Sequence, residues 1–179
     1  MKHLRRIVWY IATRLLVACL VLGLMVVAFY YAMNATNIYI VLKDGMARRA
    51  QVVMQQEEET ELTKYFQNSF LEWDSALTIT RQGQSPYRDY DIRGIDHRLS
   101  MDFAWIWPWD ATVRVDITES IPSIDGRIKG SRAEEAVAAG GADAVYPPSW
   151  QSAKYRAVLT KENGQWRIKS LTLIENLAE

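Results

Sequence analysis

The sequence predicts an α+β domain, with helices packed on one face of a curved antiparallel sheet, carried behind a single N-terminal transmembrane helix. Three observations predict it. Leu15 to Met33 runs for nineteen residues without a charge. Between Met46 and Trp73 apolar residues recur at three- and four-residue spacing, and after Pro86 they recur at every second position.

The uncharged run comes first. At about 1.5 Å per residue it matches a hydrocarbon core of about 30 Å, and no second stretch like it follows. Lys2, Arg5, Arg6 and Arg14 precede it, while the nearest base after it is Lys43, a bias that predicts a cytoplasmic N-terminus. Trp9 and Tyr10 on one side, and Phe29, Tyr30 and Tyr31 on the other, are the rings expected at two headgroup levels. The expected organisation is a basic cytoplasmic tail over residues 1–14, a transmembrane helix over 15–33 and an extracytoplasmic domain over 34–179, placing the chain in the cell membrane. Leu16-Val17-Ala18-Cys19 has the look of a lipoprotein processing site, but Arg14 lies five residues ahead of Cys19. No apolar segment of sufficient length precedes a cut there, so Cys19 reads as a small apolar residue of the span.

Charge and cysteine content bound the remainder. The chain holds 21 basic and 21 acidic residues; four bases and no acids precede Asn34, which leaves 17 against 21 and a net charge of −4 beyond it. Phosphate binding needs clustered Lys and Arg, so nucleic acid is excluded as a partner. The only cysteine lies in the apolar run, so the domain must hold together by packing rather than disulfides.

After the span, Asp44 is a candidate cap for a helix from Gly45 to Gln56, with Met46, Ala50, Val53 and Met54 on one stripe. A second stripe holds Leu62, Tyr65, Phe66, Ser69, Phe70 and Trp73. Glu57, Glu58, Glu59 and Glu61 separate the two and predict a break. Strands follow: Ile95, His97, Leu99, Met101 and Phe103 alternate with polar residues, as do Val113, Val115 and Ile117. Matching apolar faces in an antiparallel pair sets Met101 opposite Val115, Asp102 opposite Arg114 and His97 opposite Glu119. Asn163-Gly164 is the dipeptide of a two-residue type I′ hairpin; it sets Leu159 opposite Ile168, Ala157 opposite Ser170 and Lys161 opposite Trp166. In the long connection from Ile121 to Ser149, Ser131 and Glu134 form a capping box for a helix from Arg132 to Ala139, ended by Gly140-Gly141.

The closing stretch, Tyr155 to Ile168 with its Asn-Gly turn and Trp166-Arg167-Ile168, resembles the terminal hairpin of the nuclear transport factor 2-like (cystatin-like) superfamily, and the order of helices before sheet is similar. The resemblance covers residues 45–177. It implies helices on a curved sheet, a fold that serves enzymes, ligand carriers and assembly modules alike. Membrane-tethered versions resemble bitopic components of bacterial secretion, conjugation and sporulation assemblies. That likeness implies an oligomerisation and docking unit without catalysis. The sequence holds no nucleophile elbow, phosphate-cradling glycine loop or paired-cysteine ligand set, so no cofactor is expected.

Two constellations are candidate sites. His97, with Glu119 as neighbour and Tyr155 as a hydrogen-bonding wall, is the place for a proton-transferring or ligand-binding pocket. His97 is the only histidine beyond the span, so a multi-histidine metal site is excluded. Trp105, Trp107 and Trp109 would share one face of a regular strand and form a partner-binding patch, or they close the end of the core. The alternation sends Asp96, Asp102 and Asp116 to the solvated face, with basic partners across the strands. The expected function is a single-pass membrane protein whose outer domain binds a protein partner or itself. The alternative is a tethered small-molecule binder or small enzyme using the pocket near His97.

Overall fold

A computed structural model describes residues 2–55 and 57–177, without the side chains of 2–4, 131, 135, 136, 139, 140 and 142. Its first element is one continuous helix, α1 (Lys2–Gln55), of 54 residues. This helix is long and apolar enough to cross a membrane, and its surroundings change along its length. Residues 5–30 are exposed on every side. From Tyr31 one face is covered, and Ile38, Leu42, Met46, Ala50 and Val53 form a buried stripe at three- and four-residue spacing.

The helix start expected at Asp44 is therefore absent, because Asp44 is an exposed residue inside α1. Gly45 is a crossing point rather than a break. A Cβ there would lie 2.9 Å from Tyr65 Cβ and 3.3 Å from Ile168 Cδ1, so glycine is what allows this approach. Helix propagation adds one hydrogen bond per residue, and a helix already nucleated on both sides runs through one poor former.

The acidic stretch does mark a break. A 3-10 turn (Glu59–Lys64), α2 (Asn68–Trp73) and α3 (Ser75–Arg81) follow it. Its carboxylates pair locally: Glu57 and Glu61 with Arg48, and Glu59 with Arg81. The second stripe is split. Leu62 and Phe66 are fully buried, and Phe66 stacks on Phe70 at 4.9 Å between centroids, but Trp73 is 85% exposed. The cause is Asp74, whose carboxylate accepts the Ala76 amide at 2.9 Å and starts α3. A cap of this kind favours ending one helix and beginning another over continuing the stripe.

The described strands form two antiparallel sheets. β1 (Tyr90–Ile95) pairs with β4 (Ile124–Ile128), and β2 (Arg98–Met101), β3 (Thr112–Ser120), β5 (Ala153–Glu162) and β6 (Gln165–Asn176) form a sheet in the order β2-β3-β5-β6. The single strand expected from Ile95 to Phe103 is thus cut at Asp96-His97 into pieces that serve different sheets. It stops at Met101, leaving Phe103 80% exposed. The register differs as well: Met101 faces Ile117 rather than Val115, and Leu99, not His97, faces Glu119. Asp102 does not meet Arg114; its amide donates to Asp116 O and its carboxylate accepts from Lys154 at 2.7 Å. A slip of two residues keeps every side chain on its face, so Val113, Val115 and Ile117 still line the core.

The closing hairpin forms with Asn163 and Gly164 both at positive φ (50° and 82°), as a type I′ turn requires. Leu159 faces Ile168 and Lys161 faces Trp166. A bulge between Val158 and Leu159 then moves Ala157 from Ser170 to Leu171. β4 occupies the connection expected to hold only a helix, since Asp125-Gly126-Arg127 hides the alternation. α4 (Ala133–Gly140) starts one residue later than expected. The Ser131 side chain of the expected capping box lies outside the described residues.

The core lies between the inner half of α1 and the apolar face of the four-stranded sheet, with Leu62 and Phe66 filling one end and Leu77, Tyr87 and Ile92 the other. Tyr65 and Gln67 cover the start of the β6 edge, through Ile168 N–H donating to Tyr65 O at 2.7 Å and Gln67 N–H donating to Ile168 O at 2.9 Å.

Candidate functional site

Glu119 occupies the next inward position of β3 after Val113, Val115 and Ile117, and it is fully buried. Its Oε1 lies 3.1 Å from His97 Nε2, whose side chain is itself only 5% exposed. Oε2 has no partner. Because Leu99 sits opposite Glu119, His97 reaches it diagonally from the joint between β1 and β2, a distance within reach of a long side chain on one sheet face. The two residues named together from sequence are together, through a geometry different from the expected one.

Tyr155 stands on β5 opposite Ile117, two pairs from Glu119, and is half-buried. Burial first, and then the Glu119 charge, push its phenol pKa above the ordinary value, with Arg49 opposing. Arg49, from the inner half of α1, grips Asp74 with two hydrogen bonds, Nε at 2.6 Å and Nη2 at 3.0 Å. Burial acts to raise the Asp74 carboxyl. The hydrogen bond and charge of Arg49, with the amides of Ala76 and Leu77, outweigh it and hold the pKa below the usual carboxylate value. The same ion pair holds Arg49 above its ordinary value against burial. Sequence reasoning missed both residues, although Asp74-Ser75 ahead of Leu77 carries a cap signature.

Two open clefts flank this cluster. One, of about 590 Å³, is walled by Phe70, Trp73, Leu171 and Leu173; the other, of about 400 Å³, by Ile79, Tyr87 and Trp150; both share Arg49, Ser75 and Tyr155. Neither reaches His97 or Glu119. Those two form a sealed polar joint within the core, while Tyr155 and Arg49 face accessible space. A buried histidine–carboxylate pair can move a proton only to a group that touches it, and the clefts open on Tyr155 instead. No group of three His, Cys, Asp or Glu among the described residues is placed to hold a metal.

The tryptophans lie on the irregular segment between β2 and β3. Trp105 meets Trp107 edge-on at 5.2 Å between centroids, and Trp107 stacks on Trp109 at 5.1 Å. Their exposures are 59%, 39% and 71%, whereas Ile106 between them is fully buried. The core is therefore closed by Ile106, and the indoles form an outward ridge. The solvated-face aspartates find basic partners, Asp116 with Arg156 at 2.8 and 2.9 Å across β3 and β5. No family model, curated protein or solved structure matches the chain.

Proposed function

We propose that this is a single-pass membrane protein with a cytoplasmic N-terminus, whose extracytoplasmic α+β domain, of the nuclear transport factor 2-like kind, is a non-catalytic assembly module binding a second copy or a protein partner. The observation that carries the reading is the continuity of α1. Its exposed apolar half runs without interruption into the stripe that nucleates the domain core, so anchor and domain are one stiff element rather than a tethered pair. A stiff mount suits a part held in position within an assembly, and a freely ranging enzyme gains nothing from it.

The surface best suited to a partner is the outer edge of β6. β2, at the other edge of the sheet, has four residues, while β6 has twelve, and among the described residues backbone hydrogen bonds from Tyr65–Gln67 cover only its beginning. Leu173 and Ile174 are exposed there on opposite faces, beside the cleft that Trp73 walls. A long uncovered edge with apolar residues is a template for strand addition. The test is a photo-crosslinker at Ile174 in native membranes, with adducts identified by mass spectrometry. One reproducible adduct, a second copy or one membrane protein, that is lost on Trp73→Ala supports the module. Absence of any reproducible adduct overturns it in favour of a small-molecule binder, a second reading that rests on the two clefts meeting at Tyr155 and Arg49.

A further inference from the structure

The aromatic ridge between β2 and β3 is fastened to α1 through Tyr31. The Tyr31 hydroxyl donates to Ala104 O at 3.1 Å, and its ring lies 5.4 Å from Trp105 and 6.4 Å from Phe103. Tyr31 is also where α1 first loses exposure, after residues 5–30 that are open on every side. Of the domain, then, the ridge is the part that meets the helix where its bare apolar length ends, two residues before Met33, where the nineteen-residue apolar run gives way to Asn34.

Phe103-Ala104-Trp105-Ile106-Trp107-Pro108-Trp109 carries no charge. The aspartates at its two ends are occupied: Asp102 accepts from Lys154 Nζ, and Asp110 accepts from the Trp107 amide at 2.8 Å while its own amide donates to Trp107 O. Ile106, fully buried, pins the segment to the core. The result is a fixed ridge of four outward rings that meets α1 at Tyr31, next in sequence to Phe29 and Tyr30, which are 62% and 53% exposed. Indole rings, apolar in body with one N–H donor, partition to the headgroup level of a bilayer, and an exposed aromatic patch of this extent is a liability in water.

We infer that Phe103, Trp105, Trp107 and Trp109 seat in the interface of the bilayer that α1 crosses, on the leaflet facing the domain. The inference rests on the membrane-crossing reading of α1 but not on its orientation. Helix and ridge give the domain two points of attachment. Its tilt against the membrane is thereby set, and the β6 edge is presented in a constant direction.

The experiment is fluorescence of the full chain in phosphatidylcholine vesicles whose acyl chains carry bromine either near the headgroup or near the methyl end. Three forms are compared: the natural chain, Trp9→Phe, and the combined Trp105→Phe, Trp107→Phe and Trp109→Phe. Replacing exposed indoles by phenyl rings leaves the core intact, and unchanged cooperative melting followed by far-UV circular dichroism reports that each form is folded. The expected result is that bromine near the headgroup removes more emission from the natural chain than from the triple variant, and more than bromine near the methyl end does. Equal losses in those two forms, with the Trp9→Phe chain still losing less than the natural one, overturn the seat while leaving the crossing intact; the ridge then belongs to a protein partner. Equal losses in all three forms overturn the crossing, and the seat with it.

Discussion

The two halves of α1 share one secondary structure and two environments. Over residues 15–30 the helix is apolar on every face and exposed on every face, whereas over 38–54 it is apolar on one face and that face is buried. Uniform hydrophobicity is a request for an apolar solvent; a stripe is a request for a partner surface. The difference teaches where the domain begins. It begins at Tyr31, inside a helix, and no loop marks the boundary.

The two environments separate most when the same charge is placed in each half. Met46→Lys puts an unpaired ammonium into the core and is expected to cost more than about 4 kcal/mol, seen as loss of near-UV circular dichroism and of cooperative melting. Val21→Lys is expected to leave the domain's melting unchanged while costing about 2.5–3.5 kcal/mol of membrane insertion, read from partition between membrane and soluble fractions. Equal effects on melting would erase the distinction.

Next in size is the sealed pair in the core that the inner half helps to cover. His97→Ala leaves Glu119 buried without its partner and is expected to lower stability by about 3–5 kcal/mol in denaturant titration. Adding Glu119→Leu should restore most of that loss, because two apolar residues there leave no buried polar group without a partner. A single variant within about 0.5 kcal/mol of the natural chain would show that the 3.1 Å contact holds nothing.

Glycine gives a finer comparison. Gly45→Val forces atoms against Tyr65 and Ile168 and should cost about 1–3 kcal/mol of domain stability, while at Gly23 an added Cβ meets nothing within 4 Å. Gly23→Val should therefore leave the melting curve in place. The smallest effect is on the acid side. Asp74 has a folded-state pKa below the unfolded value of about 3.9, so the stability it contributes is complete above that value and lost as pH falls through the folded pKa. The outer half carries no acid, and Asp74→Asn should flatten this part of the acid-unfolding curve.

Much of the fold could be read from local pattern. The uncharged run, the Met46–Ala50–Val53 stripe, the alternation along β3 and the Asn163-Gly164 turn each concern residues within one or two turns of one another, where spacing alone fixes which side chains share a face. The errors also have a local origin. Asp44-Gly45 has the composition of a helix start, yet the glycine is there for Tyr65, twenty residues on. Trp73 continues a stripe that the cap at Asp74 ends. The bulge at Val158 shifts one half of a hairpin whose turn was plain.

The site was legible only in part. His97 and Glu119 could be paired from alternation because a two-residue slip preserves faces, but their sealing from the clefts could not. What the sequence determined by itself is an apolar helix followed by an α+β domain with a closing hairpin, because those follow from periodicity, turn chemistry and charge. Tertiary structure alone decided that α1 is one helix, that Arg49 grips Asp74, and that the tryptophan ridge rests on Tyr31. Each of these joins residues far apart in the chain, and such contacts exist only after the core between them has closed.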